Sequence, residues 1–172
     1  MTETVSTEQN PQTPNLHTVV AHVENKAGVL ARIAGLFSRR GFNIASLAVA
    51  PSDDDRFSRV TIVVDCDAGA LEQVTKQLFK LINVVDITIL VSGSAVEREF
   101  VLACVACPPD RRDELTFDAT GFDHLVIEES SESMIVSFSG RAERVDEFEE
   151  MLRPFGIIDI QRTGKVALKS LD

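Results

Sequence analysis

The chain has 172 residues, of which 44% are hydrophobic and 26% charged, and its aromatic residues are ten Phe with no Trp and no Tyr. That much apolar sequence supports a buried core, excludes wholesale disorder, and suits one ordinary domain or two small ones. Seventeen basic groups face twenty-seven acidic ones for a net charge of −10. Such a surface argues against a nucleic-acid partner, and no apolar run approaches the roughly 18 residues of a membrane span.

The acid is unevenly spread. Residues 1–93 carry eight basic and ten acidic groups, whereas residues 94–172 carry nine and seventeen. Three cysteines make no disulfide framework and suit a reducing compartment. The opening stretch Met1–Asn15 is polar, holds two prolines and has no Lys or Arg, so it lacks the features of a secretory or transit signal. It reads as a disordered tail over residues 1–15, and the protein as cytoplasmic.

From Leu16 the pattern is regular. His17–Glu24 is a β-branched run with Val19, Ala21 and Val23 on one side, hence a strand. Asn25–Gly28 breaks it, and Val29, Leu30, Ile33, Leu36 and Phe37 recur at helical spacing until Arg39, Arg40 and Gly41 stop the helix. Asn43–Ala50 and Phe57–Cys66 read as strands joined by the polar turn Pro51–Asp55. A second helix is expected over Ala70–Leu81, with Leu71, Val74, Leu78, Leu81 and Ile82 on its inner face, before a strand over Val84–Val91. The order βαββαβ then repeats. Glu99–Cys107 is a strand ended by Pro108 and Pro109, and a short, poorly periodic stretch, Arg111–Phe117, stands where a first helix belongs. His124–Glu129 and Met134–Ser139 form a hairpin, Arg141–Leu152 is helical, and Gly156–Thr163 is a strand. The expected fold is α+β: two tandem ferredoxin-like βαββαβ units over residues 16–92 and 97–165, with a linker at 93–96 and a tail at 166–172.

Catalytic machinery is hard to find. His17, His22 and His124 have no Cys or carboxylate at metal-ligand spacing, and each reads as a strand or loop side chain. Cys104 and Cys107 match C-x-x-C but lie along a strand, which sends residues three apart to opposite faces. No phosphate-binding glycine loop or nucleophile elbow occurs, and Asp53–Asp55 reads as a solvated turn.

One constellation suggests a binding site. Asn25–Leu30 lies where the first strand hands over to the first helix, whose leading amides lack internal partners and favour an anion. Gly28 allows close backbone approach, Asn25 offers both an acceptor and a donor, and Val29, Leu30, Asn43 and Ile44 supply the surroundings. These groups could hold the carboxylate, ammonium and branched side chain of a small amino acid. The same residues also fit an ordinary helix start, with Asn25 as the cap and Gly28 as the turn.

The segments Val23–Phe37, Arg40–Leu47, Ala50-Pro51, Ser58–Thr61, Gln77–Leu81 and Val96–Glu99 resemble the regulatory small subunits of acetolactate synthase, also called acetohydroxyacid synthase. The resemblance implies an ACT domain as the first unit and no cofactor in this chain. It implies a partner, the catalytic large subunit, carrying thiamine diphosphate, Mg and FAD and condensing two pyruvates, or pyruvate with 2-oxobutyrate. It further implies activation of that subunit, feedback inhibition by valine, and homodimers through ACT domains. The effector would contact Asn25, Gly28, Val29 and Leu30 of one chain and Asn43 and Ile44 of the other. Arg39, Arg40, Arg56 and Arg59 are candidates for touching the large subunit, although a solvated basic patch is the commoner explanation for such residues. The competing reading is a free-standing amino-acid sensor acting on another partner.

Overall fold

A computed structural model describes residues 15–91 and 93–171. The tail expected over residues 1–15 lies, apart from Asn15, outside the described residues. The first unit runs β1 (Leu16–Glu24), α1 (Val29–Arg39), β2 (Asn43–Pro51), β3 (Phe57–Asp65), α2 (Ala68–Leu78) and β4 (Val84–Leu90). Its antiparallel sheet has the order β2-β3-β1-β4. Strand alternation builds the core: Val19 and Ala21 of β1 pair with Ile62 and Val60 of β3, and all four are buried. Against them α1 lays Val29, Ile33, Leu36 and Phe37, and α2 lays Leu71, Val74 and Leu78.

Helix α2 begins earlier than expected because Asp67 caps it, its carboxylate accepting the Ala70 amide at 2.7 Å. It also ends earlier, at Leu78, and the chain leaves through turn hydrogen bonds from Lys80 and Leu81 to the carbonyls of Gln77 and Leu78. Helical periodicity lapses there. Ile82, expected on the inner face, is therefore 90% exposed.

The second unit runs β5 (Ala95–Val105), a 3-10 turn, α3 (Arg112–Asp118), β6 (His124–Glu129), β7 (Met134–Gly140), α4 (Ala142–Leu152), β8 (Ile157–Arg162) and β9 (Val166–Lys169). The sheet order β6-β7-β5-β8 repeats that of the first unit, which makes the chain a tandem of ferredoxin-like α+β units. Helix α3 has only seven residues and buries Leu115 alone, in keeping with the weak periodicity of its sequence. Its core is filled instead by Val145, Phe148 and Leu152 of α4 and by Phe138 and Phe122, whose rings meet edge to face at 5.3 Å.

Two expectations fail at the seam between the units. The segment 93–96 is not wholly a linker, since β5 starts at Ala95, and 166–172 is not wholly a tail, since Val166–Lys169 forms β9. Each explains the other: β9 pairs with the start of β5, Ala95 opposite Lys169 and Arg98 opposite Val166. The resulting ribbon lies against the side of the first sheet that its helices leave bare. Ala95 and Ala167 pack with Val20 and Leu90, Thr18 donates to Glu97 at 3.3 Å, and the Lys165 amide donates to the Ser46 hydroxyl at 2.8 Å. Gly164, at φ 75°, permits this approach, because a Cβ there would stand 2.7 Å from Ser46 Oγ.

Candidate functional site

The loop between β1 and α1 is strapped on two sides. The Asn25 amide donates to Arg56 O at 2.7 Å, and its side-chain Nδ2 donates to Asp55 O at 3.0 Å. Glu24 accepts from Asn83 Nδ2 at 2.5 Å and pairs with Lys26 at 3.0 Å, while Arg32 donates to Asn83 Oδ1 at 2.7 Å. The Asn83 hydrogen bond, followed by that from Lys26, holds the Glu24 carboxyl below its ordinary pKa. Asn83, on the connection before β4, thus fastens both ends of the loop, a role with no local sequence signature.

Asn25 does not cap α1. Its amide group is committed to the β2–β3 turn, which leaves the side-chain oxygen as the free function. The cap position belongs to Gly28, at φ 83° and ψ −7°, with no side-chain cap hydrogen bond and no acidic residue in the first turn. Leading amides of a helix without a cap carry partial positive charge available to an outside anion. A Cβ on Gly28 would meet nothing within 4 Å, so the space above the helix start is open. Leu30 is exposed beside it, whereas the Val29 side chain is buried in the core. Only the Val29 backbone could face a ligand, and its amide also reaches Lys26 O at 3.3 Å.

Asn43 and Ile44 lie at the far end of the sheet. The register sets Glu24 opposite Phe57 and Pro51 opposite Ser58, but Asn43 opposite Asp65. Asn43 is therefore about eight strand residues, or ~26 Å, from the loop. Within one chain the two halves of the expected site are apart. Asn43 is exposed and Ile44 half-buried against the core, both on β2, the edge strand of its sheet.

Of the other candidates, His17 has a buried Nε2 without a hydrogen-bond partner among the described residues, and the rest have structural partners or settings. His22 packs on Phe57 with ring centroids 5.0 Å apart, and His124 Nδ1 lies 3.2 Å from Phe122 O. The three cysteines are free, and burial pushes the Cys66 and Cys107 thiols up, away from nucleophilic character. Asp54 and Arg56 clasp each other in the β2–β3 turn at 2.5 Å. Among the described residues no group of three or more His, Cys, Asp or Glu is placed to hold a metal ion, and no helix is long and apolar enough to cross a membrane.

Comparison with known proteins places this geometry in context. Residues 20–86 match the family described as the AHAS small subunit-like ACT domain, and residues 98–170 the family described as the small subunit of acetolactate synthase. A probable acetolactate synthase small subunit of Archaeoglobus fulgidus is 45% identical over 152 residues, which is 88% of this chain and 95% of that one. The acetolactate synthase small subunit of Mycolicibacterium smegmatis is 41% identical over 88% of this chain and 89% of its own length. The crystal structure of the acetolactate synthase small subunit of Thermotoga maritima superposes with a TM-score of 0.86 at 35% identity, covering 92% of this chain and 99% of that one. With both units matched, the chain belongs to the acetolactate synthase small-subunit family.

Proposed function

We propose that this chain is the regulatory subunit of a cytoplasmic acetolactate synthase: it activates a catalytic large subunit and makes that subunit sensitive to valine. The observation that carries the reading is the start of α1, a glycine cap at φ 83° with no side chain answering the leading amides. Those amides suit the valine carboxylate, the Asn25 oxygen suits its ammonium group, and Leu30 offers apolar surface to its isopropyl group.

Asn43 and Ile44 enter only from a second chain. Antiparallel pairing of two β2 edges across a two-fold axis would carry the start of one β2 to the end of the other, beside the partner's Asn25–Gly28 loop. Valine bound at that seam would favour one arrangement of the two chains, which is what feedback requires. The condensation itself belongs to the large subunit, which on this reading holds thiamine diphosphate, Mg and FAD.

The test is acetolactate formation by the purified large subunit, with and without this chain, across a valine titration. The rate should rise on adding the chain and fall again at valine concentrations of tens of micromolar, roughly −6 kcal/mol of binding. A rate indifferent to the chain, or to valine in its presence, refutes the reading.

A further inference from the structure

Where the β5–β9 ribbon meets the first sheet it covers only part of the exposed side, and a groove of about 750 Å³ remains. It is lined by residues 47–51 of β2, Arg59 and Thr61 of β3, Val96 and Arg98 of β5, and Thr163 with Val166–Leu168 at the end of the chain. Val49, Val96, Val166 and Leu168 are each about half exposed in it. Apolar surface gathered in a concavity, unlike scattered exposed side chains, marks a place where something binds.

Charge narrows the occupant. The lining carries two guanidinium groups, Arg59 and Arg98, and no carboxylate. Within the acidic residues 94–172, which include Arg98 but not Arg59, Arg111, Arg112, Arg144, Arg153 and Arg162 have carboxylate partners, whereas Arg141 makes no ion pair among the described residues. Among the described residues no ion pair within 4.0 Å engages Arg59 or Arg98, and Arg98 makes only a hydrogen bond to the neighbouring Glu97 carbonyl. A chain of net charge −10 repels acidic partners over most of its surface. This groove is a local reversal of that sign.

We infer that the groove receives an extended, apolar segment of the catalytic large subunit that carries carboxylate groups. The inference rests on the regulatory reading above and adds to it the contact surface. Two further features suit it. The groove is shared by both units, so an occupant would clamp them at a seam otherwise closed by a small apolar patch and a few hydrogen bonds. And β2 begins at Asn43 and Ile44 and ends in the groove lining, so one strand joins the proposed effector contact to the proposed partner contact.

The experiment is activation of the purified large subunit by the full-length chain carrying Arg59→Glu and Arg98→Glu together, compared with Arg141→Glu as an exposed control outside the groove. The double reversal should raise the half-saturating concentration of this chain about tenfold or more at moderate salt, because like charges would now face each other. Arg59→Lys with Arg98→Lys should restore most of the loss, and Arg141→Glu should leave the value within about twofold. Circular dichroism and valine titration calorimetry on the isolated variants establish that fold and effector site are intact.

A half-saturating concentration unchanged by the double reversal overturns the inference while leaving the regulatory reading standing. A wild-type chain that neither binds nor activates the large subunit overturns both. A double variant whose sedimentation shows an altered oligomer assigns the groove to contact between copies of this chain, and also overturns the inference.

Discussion

Replacing Gly28 by Asp separates the electrostatic account of the effector site from a purely steric one. The backbone there sits at φ 83°, so any L side chain incurs about 1–2 kcal/mol of conformational strain, with Asp among the better tolerated. No atom lies within 4 Å of the new Cβ, so the chain itself offers no clash and should stay folded. What changes is the field at the helix start. A new carboxylate about 5 Å from a bound valine carboxylate repels it by about 3 kcal/mol at an effective dielectric near 20. Screening at 0.1 M salt acts over ~10 Å and leaves most of that energy in place. Valine affinity should therefore fall about 100-fold, from tens of micromolar to millimolar. Gly28→Ala bears the same strain without the charge and should lose less than about fivefold. Isothermal titration of valine into both variants, with acetolactate assays beside it, reads the difference. Equal losses in the two variants would show that shape rather than charge governs the site, and unchanged affinity in Gly28→Asp would remove the site from this loop.

Asn43→Ala should weaken valine binding by about 1–3 kcal/mol, as expected when a polar partner is removed from an interface, and should leave the thermal midpoint of the chain alone because Asn43 is exposed; calorimetry and a melting curve check both. Arg162→Ala strips the cation from Glu99, which is 7% exposed and bonded to it at 2.6 Å, while Asp146 and Glu149 stand close by. The cost should be about 2–3 kcal/mol, below the ~3–5 of a fully buried pair because Arg162 reaches solvent, and urea unfolding measures it. The Asp54 carboxyl, lowered from 3.8 to about 2 chiefly by the Arg56 side chain, keeps its clasp fully above the ordinary value and releases it only as the pH falls through about 2. A carboxyl carbon NMR titration should find that low midpoint, and Arg56→Ala should return it to near 3.8; a wild-type midpoint already there refutes the clasp.

How much of this was legible in the sequence depends on how local each cause is. Strands β1, β3 and β7 and helices α1 and α4 follow from residues within one or two turns of each other, and their limits fall within a residue or two of expectation. The start of α2 was missed although Asp67 stands three residues before Ala70, a spacing that suits a cap. Strand β9 could not be read in isolation. Four residues, Val166–Lys169, become a strand only through Ala95–Arg98, some seventy positions earlier in the chain. In the effector loop, Val29 did carry a signal against a ligand-facing side chain, since it shares a stripe with Ile33 and Leu36, both buried. Asn25 carried none, because a cap and a tie to the next turn require the same side chain, and only the position of Asp55 O decides between them.

The edges of the two sheets bear on why β2 is the strand to expect at a seam between chains. An uncovered strand edge invites pairing, and proteins discourage it with charges, bulges and short length. Strand β6, the edge of the second sheet, carries Glu128 and Glu129 and a bulge near Val126. Its opposite edge, β8, carries Asp159 and Arg162, and β4 in the first sheet carries Asp86. Strand β2 has nine residues, Asn43–Pro51, without one charge. Its bulge, between Ile44 and Ser46, leaves Leu47–Pro51 in unbroken register with β3. Left open, that edge would be a liability for a chain stored in water; occupied by a second β2 it becomes the centre of a continuous eight-stranded sheet. The same pairing would bring Asn43 within reach of the partner's helix start, so the residues that keep the edge uncharged also supply half of the proposed effector site. Any charge introduced at the middle of β2 should then weaken dimer formation and valine binding together, because both draw on one set of backbone hydrogen bonds.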